Sequence, residues 1–244
     1  MKILCILLPH FPLRCEVLRH PELAACPVII TRAAASQKTV LDYSPELKNL
    51  QREMPLQQAL SLYGDAELVR ADIPFYGRAF NEILDALETR SPLVEGADPG
   101  EIYIGLDGLH LIYETDDMAV MAVREAVPPA FGARIGIAAG KFPAMLAAQH
   151  SESGSYRTLE GSLQMFLKDL SCDLLPVSLK SKEKLHEFGL HTLGQIAVLA
   201  AGPLQAQFGP EGRRRRELAN GIDDTPLYPR PLEEIIEEST TLPS

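Results

Sequence analysis

The chain has 244 residues, 46% of them hydrophobic, and a net charge of −10. That content supports a real core in one large domain or two to three small ones, and the negative charge excludes adhesion to nucleic acid by bulk electrostatics. Cys5, Cys15, Cys26 and Cys172 form no CxxC pair, which fits a reducing cytosol and no zinc site, and no apolar run approaches the ~18–20 residues needed to span a membrane.

Lys2–Leu8 reads as a buried strand stopped by Pro9, with Pro12 beyond it. Phe11–His20 is a candidate helix, Pro27–Thr31 a second strand, Ala33–Gln37 a turn, and Lys38–Tyr43 a third strand. Pro55–Tyr63 carries a proline at the first helical turn and a leucine face, so it reads as a short helix. The leucines and Tyr63 after Gln58 faintly resemble a clamp-binding peptide, but on a short helix they read as core. Pro74–Arg90 has the clearest helical spacing, through Phe75, Tyr76, Ala79, Phe80, Ile83, Leu84 and Leu87.

Glu101–Glu114 follows. Ile102, Ile104 and Leu106 alternate, then Leu109, Leu111 and Tyr113, so the stretch reads as two strands meeting near Asp107 and Gly108. Asp107 is the lone acid inside this run: either a turn-forming acceptor or a metal ligand at the rim of a sheet. Asp116–Val127 reads as a helix, Ala133–Ala138 as a strand, Phe142–His150 as a helix and Tyr156–Thr158 as an edge strand. The order is a split βαβ pattern of the ferredoxin-like kind, with a small module inserted after the first strand. Its first and third strands lie side by side, which is expected to place the end of Lys2–Leu8 next to Asp107.

From Gly161 the chain turns to short helices: Gly161–Leu170, Lys182–Phe188, Leu193–Ala200, Pro203–Phe208 and Gly212–Asn220, with Gly189 and Gly221 as C-terminal caps. Pro229–Ser244 reads as a linker or acidic tail.

The order of elements and several segments resemble the Y-family (translesion, ImpB/MucB/SamB-type) DNA polymerases. These segments are PELAACPVIIT, VLDYSPELKNLQREMPLQQALSLYGDAELV, RIGIAAGKFPAMLAAQHS, LHEFGLHTLGQIAVL and FGPEGRRRRELANGIDDTPL. The resemblance implies an α+β fold: a ferredoxin-like palm (1–9 and 72–160), an inserted fingers module (10–71), an all-helical thumb with a degenerate helix–hairpin–helix (161–228), and a linker (229–244) toward an absent little-finger domain.

Active members of that family place two aspartates at the end of the first strand and an Asp-Glu pair between the central strands, three of these carboxylates holding two magnesium ions. Aligned to them, this chain has Leu7 and Pro9 in the first strand and Asp107 followed by Gly108 in the centre. The aromatic residue that excludes ribonucleotides becomes Pro12, while Phe11 and Glu16 still match. Of the triphosphate-binding trio Tyr43 and Lys141 match and the arginine becomes Glu46; LKSK (Leu179–Lys182) replaces the thumb's glycine-rich hairpin. A lysine after glycine at a strand–helix junction is also often merely solvent-exposed, and Tyr43 also reads as packing. A Walker A loop at Gly136–Lys141 fails on spacing and on Phe142.

One aspartate cannot hold two hard cations, and Leu7 and Pro9 offer only carbonyls. The pattern resembles the ImuB-type subgroup, which implies a non-catalytic subunit of an SOS mutagenic repair complex. Its implied partners are DNA, an error-prone C-family polymerase, a RecA-like accessory protein and the sliding clamp. The expected site is therefore a vestigial Asp107, vestigial nucleotide contacts at Tyr43 and Lys141, and weak DNA-backbone contacts from Arg213, Arg214, Arg215 and Arg216. No cofactor is expected; magnesium belongs only to the alternative of an active nucleotidyltransferase. A second alternative is a protein-interaction scaffold without DNA affinity. The compartment expected is the cytoplasm.

Overall fold

The computed structural model describes residues 1–231 apart from 35, 36, 162, 201, 203, 204, 206, 207 and 209. A five-stranded sheet in the order β5-β6-β1-β7-β8 forms its centre. The strands are β1 (Lys2–Leu7), β5 (Val94–Gly96), β6 (Glu101–Gly105), β7 (Arg134–Ala139) and β8 (Tyr156–Thr158). β1 is antiparallel to both β6 and β7, and β8 joins β7 in parallel. This is the ferredoxin-like strand order with one added edge strand.

Period-two alternation divides the sheet into two faces. Leu4 and Ile6, Ile102 and Ile104, and Ile135 and Ile137 face helices α3 (Ile73–Glu88) and α4 (Asp116–Ala126) in the main core. Asp72 caps α3 by accepting from the Phe75 amide, and Thr115 caps α4. Ile3, Cys5, Tyr103 and Ala138 form the other face, against Ala144 and Ala148 of α5 (Lys141–Gln149). Close approach there requires glycine at position 136, where a Cβ would lie 2.1 Å from the Ala148 nitrogen.

The inserted module comprises α1 (Phe11–Arg19) and a three-stranded sheet in the order β3-β2-β4, with α2 (Leu56–Leu62). β2 (Val28–Ala34) and β3 (Gln37–Tyr43) are antiparallel, and β4 (Glu67–Arg70) runs parallel to β2. Ile29, Val40, Leu47, Leu50 and Ala59 pack on one side; Val28, Ile30 and Leu13 pack on the other.

The helical module holds α6 (Leu163–Leu167), α7 (Leu179–Glu187), α8 (Leu193–Ala197) and α9 (Pro210–Ala219). Its core of Leu167, Cys172, Leu175, Leu185, Leu193, Ile196 and Leu218 includes Phe142 and Leu146 of α5. One helix thus joins the module to the central sheet. Gly189 and Gly221 take positive φ, as expected of C-terminal caps.

The expected elements recur with shifted ends, and three differences stand out. The short strands β4 and β5 were not foreseen. The second half of Glu101–Glu114 is a 3-10 turn at Leu109–Leu111 rather than a strand, with Leu111 exposed; the hairpin is β5–β6, one strand earlier. The expected linker Pro229–Ser244 is docked at its described start, as is the segment before it. Leu227 packs on the second face of the central sheet, the Arg230 amide donates to the Val94 carbonyl at 2.9 Å, and Arg230 pairs with Asp85 at 2.8 Å. The expected helix Pro203–Phe208 lies mostly outside the described residues, and residues 232–244 lie entirely outside them. Among the described residues no helix is long and apolar enough to cross a membrane.

Candidate functional site

β1 ends at one rim of the central sheet. Pro9 has no N–H to extend the ladder, and His10 turns the chain with φ 54° into α1. Register sets what meets that end: Leu7 pairs with Glu101 on one side and with Arg134 on the other, and the Leu8 amide donates to the Gly100 carbonyl at 2.8 Å. A cleft of about 380 Å³ opens here among Leu7, Pro9, Asp98, Glu101, Arg52 and Arg134.

Asp107 is elsewhere. Its carboxylate accepts from the backbone amide of Lys2 at 3.1 Å, at the opposite end of β1. The expected cluster of Leu7, Pro9 and Asp107 therefore does not form. In an antiparallel pair the start of β6, not its end, meets the end of β1. Asp107 is a backbone acceptor beyond a strand end, the simpler of its two expected roles.

The acids at the rim are Asp98, which is exposed, and Glu101, which is half-buried and accepts from the Tyr103 hydroxyl at 2.6 Å. Burial, with Cys5 and Glu101 nearby, pushes the Tyr103 hydroxyl well above its ordinary range. Glu101 was not singled out from the sequence; correct strand register is the signal that finds it. Gly100 beside it has φ +99°, and a Cβ there would lie 2.9 Å from the Leu8 carbonyl oxygen and 3.0 Å from the Phe11 Cβ. Among the described residues no three carboxylate, thiol or imidazole groups converge at this rim. The donor set does not fit a pair of magnesium ions, which need several carboxylate oxygens between them.

Lys141 lies on the same face, at the start of α5, and it is buried rather than solvated. Its ammonium sits 2.6 and 2.7 Å from the two carboxylate oxygens of Glu95 on β5. The rings of Tyr103 and Tyr228 flank it at 5.5 and 5.4 Å. The helix start beside it is also filled: the Phe142 amide donates to Asp223 at 2.7 Å. Burial alone would raise the Asp223 carboxyl, but hydrogen bonds from Thr225, the Phe142 amide and Arg214 outweigh it and hold it below the usual range. A cleft of about 880 Å³ between this face and the helical module contains Lys141, Glu101, Lys182 and Arg214, and it shares Asp98, Glu101 and Met145 with the smaller one.

Tyr43 lines neither cleft, and its ring stands edge-on to His10 at 5.6 Å. Its neighbour Asp42 is fully buried, bound by His10 Nδ1 at 2.9 Å and the Leu13 amide at 3.2 Å. Phe11 and Glu16 serve the core: Phe11 stacks on Phe131, and Glu16 accepts from Tyr76 at 2.7 Å.

The four arginines do not form a shared outward patch. Arg213 is exposed and bonded to Glu217 at 2.8 Å. Arg214 binds Asp223, and Asp224 at 2.7 Å. Arg215 is buried over the Phe208 ring at 4.5 Å and bonded to Glu211 and Ser181. Arg216 donates to the Leu199 carbonyl at 2.7 Å. On a helix, successive side chains are rotated ~100°, so consecutive arginines meet four different surroundings.

A family profile described as impB/mucB/samB matches residues 6–149, more than half of the chain. The chain belongs to the impB/mucB/samB family. Curated relatives include the DNA polymerase IV of Alkaliphilus oremlandii, 25% identical over 96% of this chain, and that of Caulobacter vibrioides, 26% identical over 91%. The chain spans 61% and 56% of those two relatives' lengths. Among solved structures, DinB from Sulfolobus solfataricus superposes with a TM-score of 0.77 at 18% identity, covering 93% of this chain and 69% of that one. The insertion ternary complex of Dbh DNA polymerase gives 0.75 at 19%, covering 96% and 70%. This impB/mucB/samB chain therefore has the Y-family DNA polymerase fold.

Proposed function

We propose that this impB/mucB/samB protein serves DNA repair by translesion synthesis as a non-catalytic, DNA-contacting adaptor of the ImuB type. In this reading the five-stranded layer is the palm, the inserted module the fingers and the helical module the thumb. The observation that carries it is the rim at the end of β1, where Leu7, Leu8 and Pro9 face Gly100 and Glu101. Two-metal phosphoryl transfer needs carboxylates on both strands, and removing one preorganised electrostatic group typically lowers turnover by ~10²–10³. Lys141, neutralised by Glu95, offers little net charge to a triphosphate. Tyr43 and Lys141 are remnants of a nucleotide site in this reading. The partners proposed are DNA, an error-prone C-family polymerase, a RecA-like accessory protein and the sliding clamp.

The test is primer extension with magnesium and with manganese, alongside a Glu101→Ala variant. No incorporation by either protein is the expected result. Template-dependent incorporation lost in Glu101→Ala overturns the non-catalytic reading. It favours the enzyme alternative, which rests on Glu101 and on relatives named DNA polymerase IV. The internal pairing of Arg213–Arg216 favours a further alternative, a protein scaffold without DNA affinity. Fluorescence anisotropy on primer–template DNA at low salt separates these. With Arg213 the most exposed of the four, the adaptor binds weakly with a salt slope of about −1, near the −0.9 expected per neutralised phosphate; no binding favours the scaffold.

A further inference from the structure

The helical module contains a cluster of metal-ligating side chains that lines neither cleft. Cys172 and Asp173 open the 3-10 turn Cys172–Leu174, His186 lies in the last turn of α7, and His191 lies in the loop before α8. Cys172 Sγ, an Asp173 carboxylate oxygen and a His186 ring nitrogen all lie within 4.8 Å of one another. The His186 Nε2 is 2.7 Å from Asp173 Oδ1 and 3.9 Å from Cys172 Sγ. The other ring nitrogen, Nδ1, is 2.9 Å from His191 Nδ1.

We propose that Cys172, Asp173 and His186 bind a divalent cation of the zinc class, with His191 positioning His186. A tetrahedral zinc ion has its ligands ~2.0–2.3 Å away, which puts them roughly 3.3–3.6 Å from each other. The observed 2.7 and 3.9 Å bracket that spacing. Thiolate and imidazole select zinc or cobalt over magnesium and calcium. His186 Nε2 faces the ligand position while Nδ1 keeps a hydrogen-bond partner, which is how metal-bound imidazoles are held in one tautomer.

Binding exchanges protons for metal. The Cys172 thiol, now 3.1 Å from the Leu190 carbonyl, loses its proton to solvent and bonds the ion as thiolate. His186 binds as the neutral ring with its proton on Nδ1, donated to His191. Asp173 and His186 are 51% and 38% exposed, leaving the fourth position open to water. The ion would tie the turn at Cys172 to α7. Cysteine spacing alone had pointed away from zinc, because its partners here are an adjacent acid and two histidines distant in sequence.

The experiment is a cobalt titration of the full chain in reducing buffer. One equivalent is expected to give a thiolate-to-cobalt charge-transfer band, displaced by zinc and unaffected by excess magnesium. Cys172→Ser should abolish the band. Because Cys172 is buried and its variant can fail to fold, His186→Gln and Asp173→Asn provide a second reading, each weakening affinity at least about tenfold; His191→Ala should weaken it by roughly tenfold. Zinc should raise the melting temperature of the wild type and not of His186→Gln. Absence of the band, unchanged cobalt affinity in both His186→Gln and Asp173→Asn, or loss of the band in Cys26→Ser but not in Cys172→Ser would overturn the proposal.

Discussion

Lys141 and Glu95 form a two-pronged ion pair, with the ammonium 2.6 and 2.7 Å from the two carboxylate oxygens and both side chains largely buried. Glu95 also accepts from the Tyr228 amide at 2.6 Å, so one carboxylate ties β5, α5 and the returning C-terminal segment together. This geometry turns a lysine that in sequence looks available to phosphate into a structural one.

Glu95→Gln should therefore have two effects. Stability falls by about 3 kcal/mol, the usual scale for leaving one member of a buried pair uncompensated. In return, the freed Lys141 should gain affinity for inorganic triphosphate of about tenfold, or 1.4 kcal/mol. Denaturant melts and isothermal titration measure the two; unchanged anion binding with intact folding would show that the site is closed by more than charge.

Asp223 sets an acid dependence. Its carboxyl is held below the usual range in the folded state, so its stabilisation is fully present above the ordinary carboxylate pKa of about 3.9 and is lost as pH falls through the lower folded value. Asp223→Asn should lower stability at pH 7 by about 2 kcal/mol, the scale of hydrogen bonds to a charged group. It should also flatten the stability curve below about pH 4. Parallel curves for the variant and the wild type between neutral pH and acid unfolding would contradict this.

Arg215 tests the fate of the basic run. Its side chain is 3% exposed, and its Nε and Nη1 are buried without hydrogen-bond partners. Arg215→Ala should cost about 2–3 kcal/mol through lost packing on Phe208, whereas Arg215→Met should be near neutral or stabilising. Arg213→Ser should leave the melting temperature unchanged, since exposed pairs contribute little. Thermal melts of the single variants give the comparison.

Gly100 tests the rim itself. With φ +99° and no room for a Cβ, Gly100→Asp should destabilise by roughly 1–3 kcal/mol of backbone strain, before any further loss from the close contacts. It should not restore primer extension. Asp107→Ala removes only an acceptor for the Lys2 amide and should cost about 1 kcal/mol. A larger loss at Asp107 than at Gly100 would reverse their assigned importance.

What the sequence by itself determined is most of the regular elements and the lack of carboxylates at the end of the first strand. The continuous apolar run of Lys2–Leu8 marks a buried strand and the spacing in Pro74–Arg90 a buried helix face, because composition and period are local properties of the chain. Leu7 and Pro9 rule out carboxylates at those two positions whatever the fold. Tertiary structure decided which groups meet. Glu101 rather than Asp107 faces Leu7, because antiparallel register is set by the hairpin at β5–β6, and the three residues of β5 are too few to show a period. The pairing of Lys141 with Glu95, the division of Arg213–Arg216 among separate partners and the meeting of Cys172 with His186 are contacts between segments distant along the chain or between faces of one helix. No local pattern encodes them, since packing and charge pairing act on neighbours in space.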